Sequence, residues 1–228
     1  MSSRKEEKAR RRLARSQARP RDASELLGLV DVNDPGFVAF HEAGHDVNDP
    51  RFVAFHEAGH AVSAVILGFN LKSVDVKQRK LPGRGVSLGF TDSGRIHVDE
   101  VDGKCEAAAM RYLIQCMSGP SAESLVNKDA FRFGAHLDDL ASVHRVAAAA
   151  ICGTTTRPDG RREVTSEAGV LHKGRINALL SAADEAATRM IEEHVPAITR
   201  VAELLMERQS LTGDEVRAIV RDCAKHND

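Results

Sequence analysis

The chain has 228 residues, 42% of them hydrophobic, and a formal charge of −1. That is enough for one moderate domain plus a tail, and too near neutral for the molecule as a whole to bind a polyelectrolyte. Aromatics make up only 4%, with no Trp and one Tyr, so packing must rest on Ala, Leu, Val and Ile and favours close helix–helix contact. No apolar run reaches the ~18–20 residues that span a bilayer, and no signal-peptide core is visible, so a soluble, cytoplasmic protein is expected. Cys105, Cys116, Cys152 and Cys223 are scattered without a C-x-x-C pair. They read as reduced, mostly buried thiols and not as a disulfide frame or a cysteine zinc site.

Residues 1–25 are dense in Arg and Lys around Arg10-Arg11-Arg12, with Leu13 the one large apolar side chain before Leu26. Such a segment reads as a solvated, disordered tail. Its other reading is a weak, salt-sensitive contact with nucleic acid or an anionic surface, without aromatics to stack on bases.

Residues 26–48 form a linker carrying the first half of a tandem repeat. Residues 31–45 recur as 46–60 with one change, Gly36 to Arg51, so His41-Glu42-Ala43-Gly44-His45 and His56-Glu57-Ala58-Gly59-His60 are two H-E-x-x-H copies. Two repeats this short do not make a solenoid and point to a duplication. Each copy has a helix start, with Asp34 or Asp49 as N-cap and Pro35 or Pro50 at the first helical position. After His45 the chain runs into Asp49-Pro50, which stops a helix within about a turn. After His60 it continues through Ala61, Val62, Val65, Ile66 and Leu67, two more apolar turns that anchor the motif. The second copy is therefore expected to be the working one.

Histidines four apart share a helical face and can reach one ion. A glutamate after the first histidine is placed to take a proton from an attacking water and pass it to a leaving amine. Imidazole suits zinc, and a catalytic zinc wants three protein ligands and an open position. H-E-x-x-H also arises by chance on solvated helices. The apolar flanks argue otherwise here, because buried His and Glu need partners that a metal supplies.

Beyond this helix, Ser73-Val74-Asp75-Val76-Lys77 alternates as a strand does, Pro82-Gly83-Arg84-Gly85 reads as a turn, and Val86 to Thr91 reads as a second strand. A small sheet beside the helix follows, with an edge that an extended peptide could join. The remainder has helical period. A helix from Cys105 to Met117 is expected to end at Ser118-Gly119-Pro120, followed by a short one from Ser121 to Val126. Asp138 or Asp139 caps or opens the next, which runs to Cys152. Arg157 to Gly160 is a turn. One long helix from Ser166 carries Val170, Leu171, Ile176, Leu180 and Ile191 until Pro196. Another spans Ala197 to Arg208, and Thr212-Gly213-Asp214-Glu215 starts the last.

Together these residues resemble the peptidase domain of the FtsH-type zinc metallopeptidases over residues 50–222. His56-Glu57-Ala58-Gly59-His60-Ala61 resembles the family's metal helix, and Ser118 to Glu123 its G-G-R-A-A-E turn. Gly134-Ala135-His136-Leu137-Asp138-Asp139-Leu140 resembles its G-A-S-N-D-L element. Leu204-Leu205 with Leu211-Thr212-Gly213 resembles its C-terminal helix pair. The resemblance implies His56 and His60 as zinc ligands and Glu57 as general base. The third ligand falls on Asp139, with Asp138 as competitor because this chain has one residue more there. Both aspartates also read as plain helix caps. Glu123 either orients a ligand histidine from behind or is a surface helix residue.

The chain departs from the family in lacking a G-x-x-x-x-G-K-[ST] phosphate loop and in having Pro120 or Ser121 where the family has arginine. The expected fold is mainly α with a small β element, an FtsH-like helical bundle around the H-E-x-x-H helix, spanning 49–228. The expected activity is zinc-dependent hydrolysis of peptides or unfolded proteins, in a homo-oligomer or with a separate ATPase partner. A catalytically inactive, zinc-stabilised binding or regulatory protein is the alternative.

Overall fold

A computed structural model of the protein describes residues 49–81, 85–94, 106–127, 137–156 and 162–225, all within the unit Asp46–Asp228. The basic segment 1–25, the first H-E-x-x-H copy and Cys105 lie outside the described residues.

Asp49 caps the first helix, α1 (Pro50–Ile66): its carboxylate accepts the Arg51 backbone N–H at 2.8 Å, and Pro50 takes the first turn as the sequence predicts. Four short strands follow: β1 (Ser73–Asp75), β2 (Arg79–Leu81), β3 (Gly85–Ser87) and β4 (Phe90–Asp92). Then come α2 (Glu106–Glu123), α3 (Leu137–Cys152), the paired strands β5 (Thr155–Thr156) and β6 (Arg162–Glu163), α4 (Ser166–Leu171) and α5 (Lys173–Glu193). The chain closes with α6 (Val195–Arg208), β7 (Ser210–Thr212) and α7 (Gly213–Ala224). The architecture is mainly helical with a small antiparallel sheet. Among the described residues no helix is long and apolar enough to cross a membrane.

Helix α1 lies between α2 and α6. On the α6 side, Ala54, Phe55, Ala58, Ala61 and Val62 pack with Leu71, Val74, Ile198, Val201, Leu205 and Val216. A second, alanine-rich cluster joins α2, α3 and α5 through Ala109, Leu113, Val143, Ala147, Ile176, Ala183 and Ala187. Small side chains let these helices approach closely, which is how a chain so poor in aromatics fills a core. Gly59 shows the limit: a Cβ there would stand 2.2 Å from the Ser118 carbonyl oxygen of α2.

The sheet has the order β4-β1-β7, all antiparallel, with Val74 opposite both Thr91 and Leu211. Val74 and Leu211 are buried, so that face belongs to the core. The hairpin continues into β2–β3, but residues 76–78 intervene on one strand and only Leu88 and Gly89 on the other. The extra residue therefore lies on the 76–78 strand, opposite Leu88 and Gly89, as it does in a bulge.

Several sequence expectations need correction. The helix expected to end at Ser118-Gly119-Pro120 continues to Glu123, with Pro120 inside it. Proline in a helix interior costs about 3 kcal/mol. Unbroken burial from Leu113 to Glu123 offsets that cost, and Ser118 and Ser121 hydroxyls donate to the Ile114 and Met117 carbonyls at 2.7 and 2.9 Å. The expected helix from Ser121 to Val126 is thus the end of α2 and a turn. The long helix expected from Ser166 breaks at His172 into α4 and α5. There the His172 N–H closes the end of α4, and Gly169 and Gly174 weaken helix on either side. Val170 and Leu171 consequently stand 77% and 78% exposed instead of joining a buried stripe. The expected strand from Val86 to Thr91 is two strands split at Leu88-Gly89, while β2, β5, β6 and β7 have no counterpart in the sequence reading. Cys116, Cys152 and Cys223 are free thiols, the first buried and the other two half-buried.

Candidate metal centre

The helical spacing of four puts His56 and His60 on one face of α1, and their Nε2 atoms meet at 3.0 Å with the rings edge to face. His60 is buried, as are Glu57 and Glu123. Each imidazole is held from behind. His60 Nδ1 lies 2.8 Å from the Gln115 carbonyl oxygen. A carbonyl only accepts, so Nδ1 carries the proton and Nε2 presents a lone pair. His56 Nδ1 faces Glu123 Oε2 at 3.4 Å, an electrostatic contact looser than a well-formed hydrogen bond. Glu123 is itself fixed by Asn127, whose Nδ2 donates to Oε1 at 3.1 Å. A carboxylate beside Nδ1 suits a proton there, and with that tautomer the His56 Nε2 lone pair would point where that of His60 does.

Two ring nitrogens converging at 3.0 Å suit either a shared proton, as an N–H···N hydrogen bond, or a cation between two lone pairs. With Zn–N bonds of ~2.0–2.1 Å, two corners of a zinc tetrahedron are about 3.3 Å apart, close to the 3.0 Å observed. The donor pair fits zinc. The third expected ligand, Asp139, and its competitor Asp138 stand in the first turn of α3, but their side chains lie outside the described residues. Among the described residues no group of three His, Cys, Asp or Glu side chains converges.

Helix α2 makes the histidine geometry. Gly119 lies against the His60 ring so closely that a Cβ would stand 2.3 Å from Nε2. Pro120, one residue on, withdraws the N–H that the Cys116 carbonyl would otherwise receive, and the neighbouring Gln115 carbonyl serves His60. The segment Ser118 to Glu123, expected as a turn, is therefore the helical wall of the site, and Glu123 is a buried partner of His56.

Glu57 is held from the other side, by β4. Thr91 Oγ1 donates to Glu57 Oε2 at 2.6 Å, and at Gly89 a Cβ would stand 2.6 Å from Glu57 Oε1. Gly89 thus brings bare backbone onto the carboxylate. Sequence reasoning missed Thr91, Gly89, the Gln115 carbonyl and Gly119. The one available signal was Leu88-Gly89 within an otherwise alternating strand, since glycine there marks a bulge or a close approach. No protein-family model and no curated protein matches this chain.

Proposed function

We propose that the protein is a zinc metallopeptidase, resembling an FtsH-type peptidase domain without an ATPase of its own, that hydrolyses extended peptides or unfolded chains in the cytoplasm. The observation that carries this reading is the 3.0 Å convergence of the His56 and His60 Nε2 atoms, with Glu57 beside them on the same helix. His56 and His60 would hold the metal, completed by Asp139. Zinc, when bound, supplies a Lewis acid that polarises a scissile carbonyl and acidifies water. The Glu57 carboxylate takes the proton from the attacking water and delivers it to the departing amine. Thr91 and Gly89 fix the carboxylate for that exchange, while Gln115 and Glu123 keep both imidazoles in the metal-binding tautomer. The outer edge of β4, next to Glu57, has no strand partner among the described residues and supplies backbone groups for a peptide to pair with.

The test is Glu57→Gln on zinc-loaded protein. Peptide turnover should fall by at least ~10²–10⁴, with about one zinc per chain retained by mass spectrometry. Turnover that survives the substitution would sink the assignment. Stoichiometric zinc with no turnover in the unsubstituted protein would favour the non-catalytic, zinc-stabilised binding protein.

A further inference from the structure

The two sides of β4 differ in chemistry. Successive strand residues point to opposite faces. Thr91 points to α1, where it meets Glu57, so Phe90 and Asp92 flank it on the other face. Phe90 is 38% exposed, and the Arg79 guanidinium lies 5.3 Å from its ring centroid. Arg79 is in turn held by the buried Asp75 carboxylate. Asp92 has its side chain 35% exposed and pairs with Lys72, 3.5 Å away and itself 63% exposed. A solvent-exposed pair of that kind is weak and exchangeable. The edge, unpaired among the described residues, therefore presents an aromatic surface and a carboxylate two positions apart, with the Glu57-bound residue between them.

A peptide joining this edge would lie about 4.8 Å from β4. Its middle residue would face Glu57 and the histidines, and the residues on either side would meet Asp92 and Phe90. Every pairing in this sheet is antiparallel, the slightly more stable arrangement per residue. A peptide added in the same sense passes Asp92 before Phe90. From this geometry we infer that the edge selects extended peptides carrying a basic residue two positions before an apolar or aromatic one, in that order. The inference rests on the peptidase reading for its location and names the substrate class of that site.

The order makes the inference testable. Zinc-loaded Glu57→Gln protein, which holds peptide without turning it over, is titrated with fluorescently labelled peptides in a Gly/Ser background containing Lys-Ala-Phe, Phe-Ala-Lys or Glu-Ala-Phe. Lys-Ala-Phe should bind about three- to five-fold tighter than either competitor, the size of one cross-strand charge pair. That preference should shrink as salt is raised from 50 to 500 mM. Asp92→Lys, in the same background, should reverse the charge preference toward Glu-Ala-Phe. Phe90→Ala should weaken Lys-Ala-Phe about fivefold and leave Lys-Ala-Ser unchanged. Equal affinities for all three peptides, or a preference that survives Asp92→Lys, overturns the inference. A parallel digest of a random peptide pool by unsubstituted protein separates this from the peptidase reading. Cleavage without the Lys-x-Phe bias overturns the inference alone, whereas biased binding without any cleavage upholds it and overturns the peptidase.

Discussion

Helix α1 is gripped on two flanks of opposite construction. Along α2, every residue from Leu113 to Glu123 is buried, and the contacts on the histidines come from a backbone carbonyl, a bare glycine and a carboxylate tied by Asn127. Along β4 the support is three residues long, half-exposed, and without a strand on its far edge among the described residues. Metal ligands need fixed geometry, which deep helix packing supplies. A group that must exchange a proton and admit a peptide needs access, and elements that move or bind are drawn from the less buried parts of a fold. The comparison teaches that the two halves of H-E-x-x-H answer to different parts of the tertiary structure: the histidines to α2, the glutamate to the sheet.

If that division is real, substitutions on α2 should act on zinc and those on β4 on turnover. The largest effect is expected from Gly119→Ala, whose methyl would overlap the His60 ring while Nδ1 remains tied to Gln115. Overpacking of this kind costs about 1–3 kcal/mol, so a lower melting temperature should accompany loss of most bound zinc. A variant with normal zinc content and melting would break the comparison at its strongest point.

Glu123→Ala should come next, weakening zinc about 10–100-fold as read by competition with a chromogenic chelator, with Glu123→Gln milder. Unchanged affinity would make Glu123 a bystander. Thr91→Val removes the hydroxyl that holds Glu57 and should lower kcat about tenfold, in line with losing one hydrogen bond to a charged group, while zinc affinity stays within about twofold. Thr91→Ser should restore most of the rate. If Thr91→Val released zinc instead, the sheet and the helix would not be separable supports.

The smallest effect belongs to the far end of the sheet. At the β7–α7 junction the Thr212 backbone N–H and hydroxyl donate to Glu215, and Arg208 pairs with it. The Thr212 backbone N–H first, then Arg208 and the Thr212 hydroxyl, hold the Glu215 carboxyl down at about 2. A carboxyl lowered in the folded state stabilises above its ordinary range and loses that contribution as pH falls through the folded value. The stabilisation should therefore be complete at neutral pH and fade from about pH 4.5 toward 2. Glu215→Gln should flatten that acid limb in a pH series of thermal melts and leave zinc binding untouched.

Much of the fold was legible because it is written in local chemistry. Asp49-Pro50 opens α1, Thr212 and Glu215 form a reciprocal capping box on α7, and residue spacing alone puts His56 and His60 on one face. Local rules failed where distant packing outweighed them. Pro120 ends helices in most contexts, yet here the packing of α2 against α1 carries it through. Ser210-Leu211-Thr212 is too short to announce itself, and becomes a strand because β1 lies alongside it.

The sequence by itself determined where α1 starts, which of the two repeats has the apolar turns to continue it, and which side chains share its face. Capping, helical period and donor chemistry act within a few residues, so they can be read in one dimension. Only the tertiary structure decided what stands behind those side chains. The Gln115 carbonyl and Glu123 stand behind the two imidazoles, while Thr91 and Gly89 close on Glu57. These partners lie between 32 and 67 residues away along the chain, and only the packing of α2 and the sheet around α1 brings them into contact.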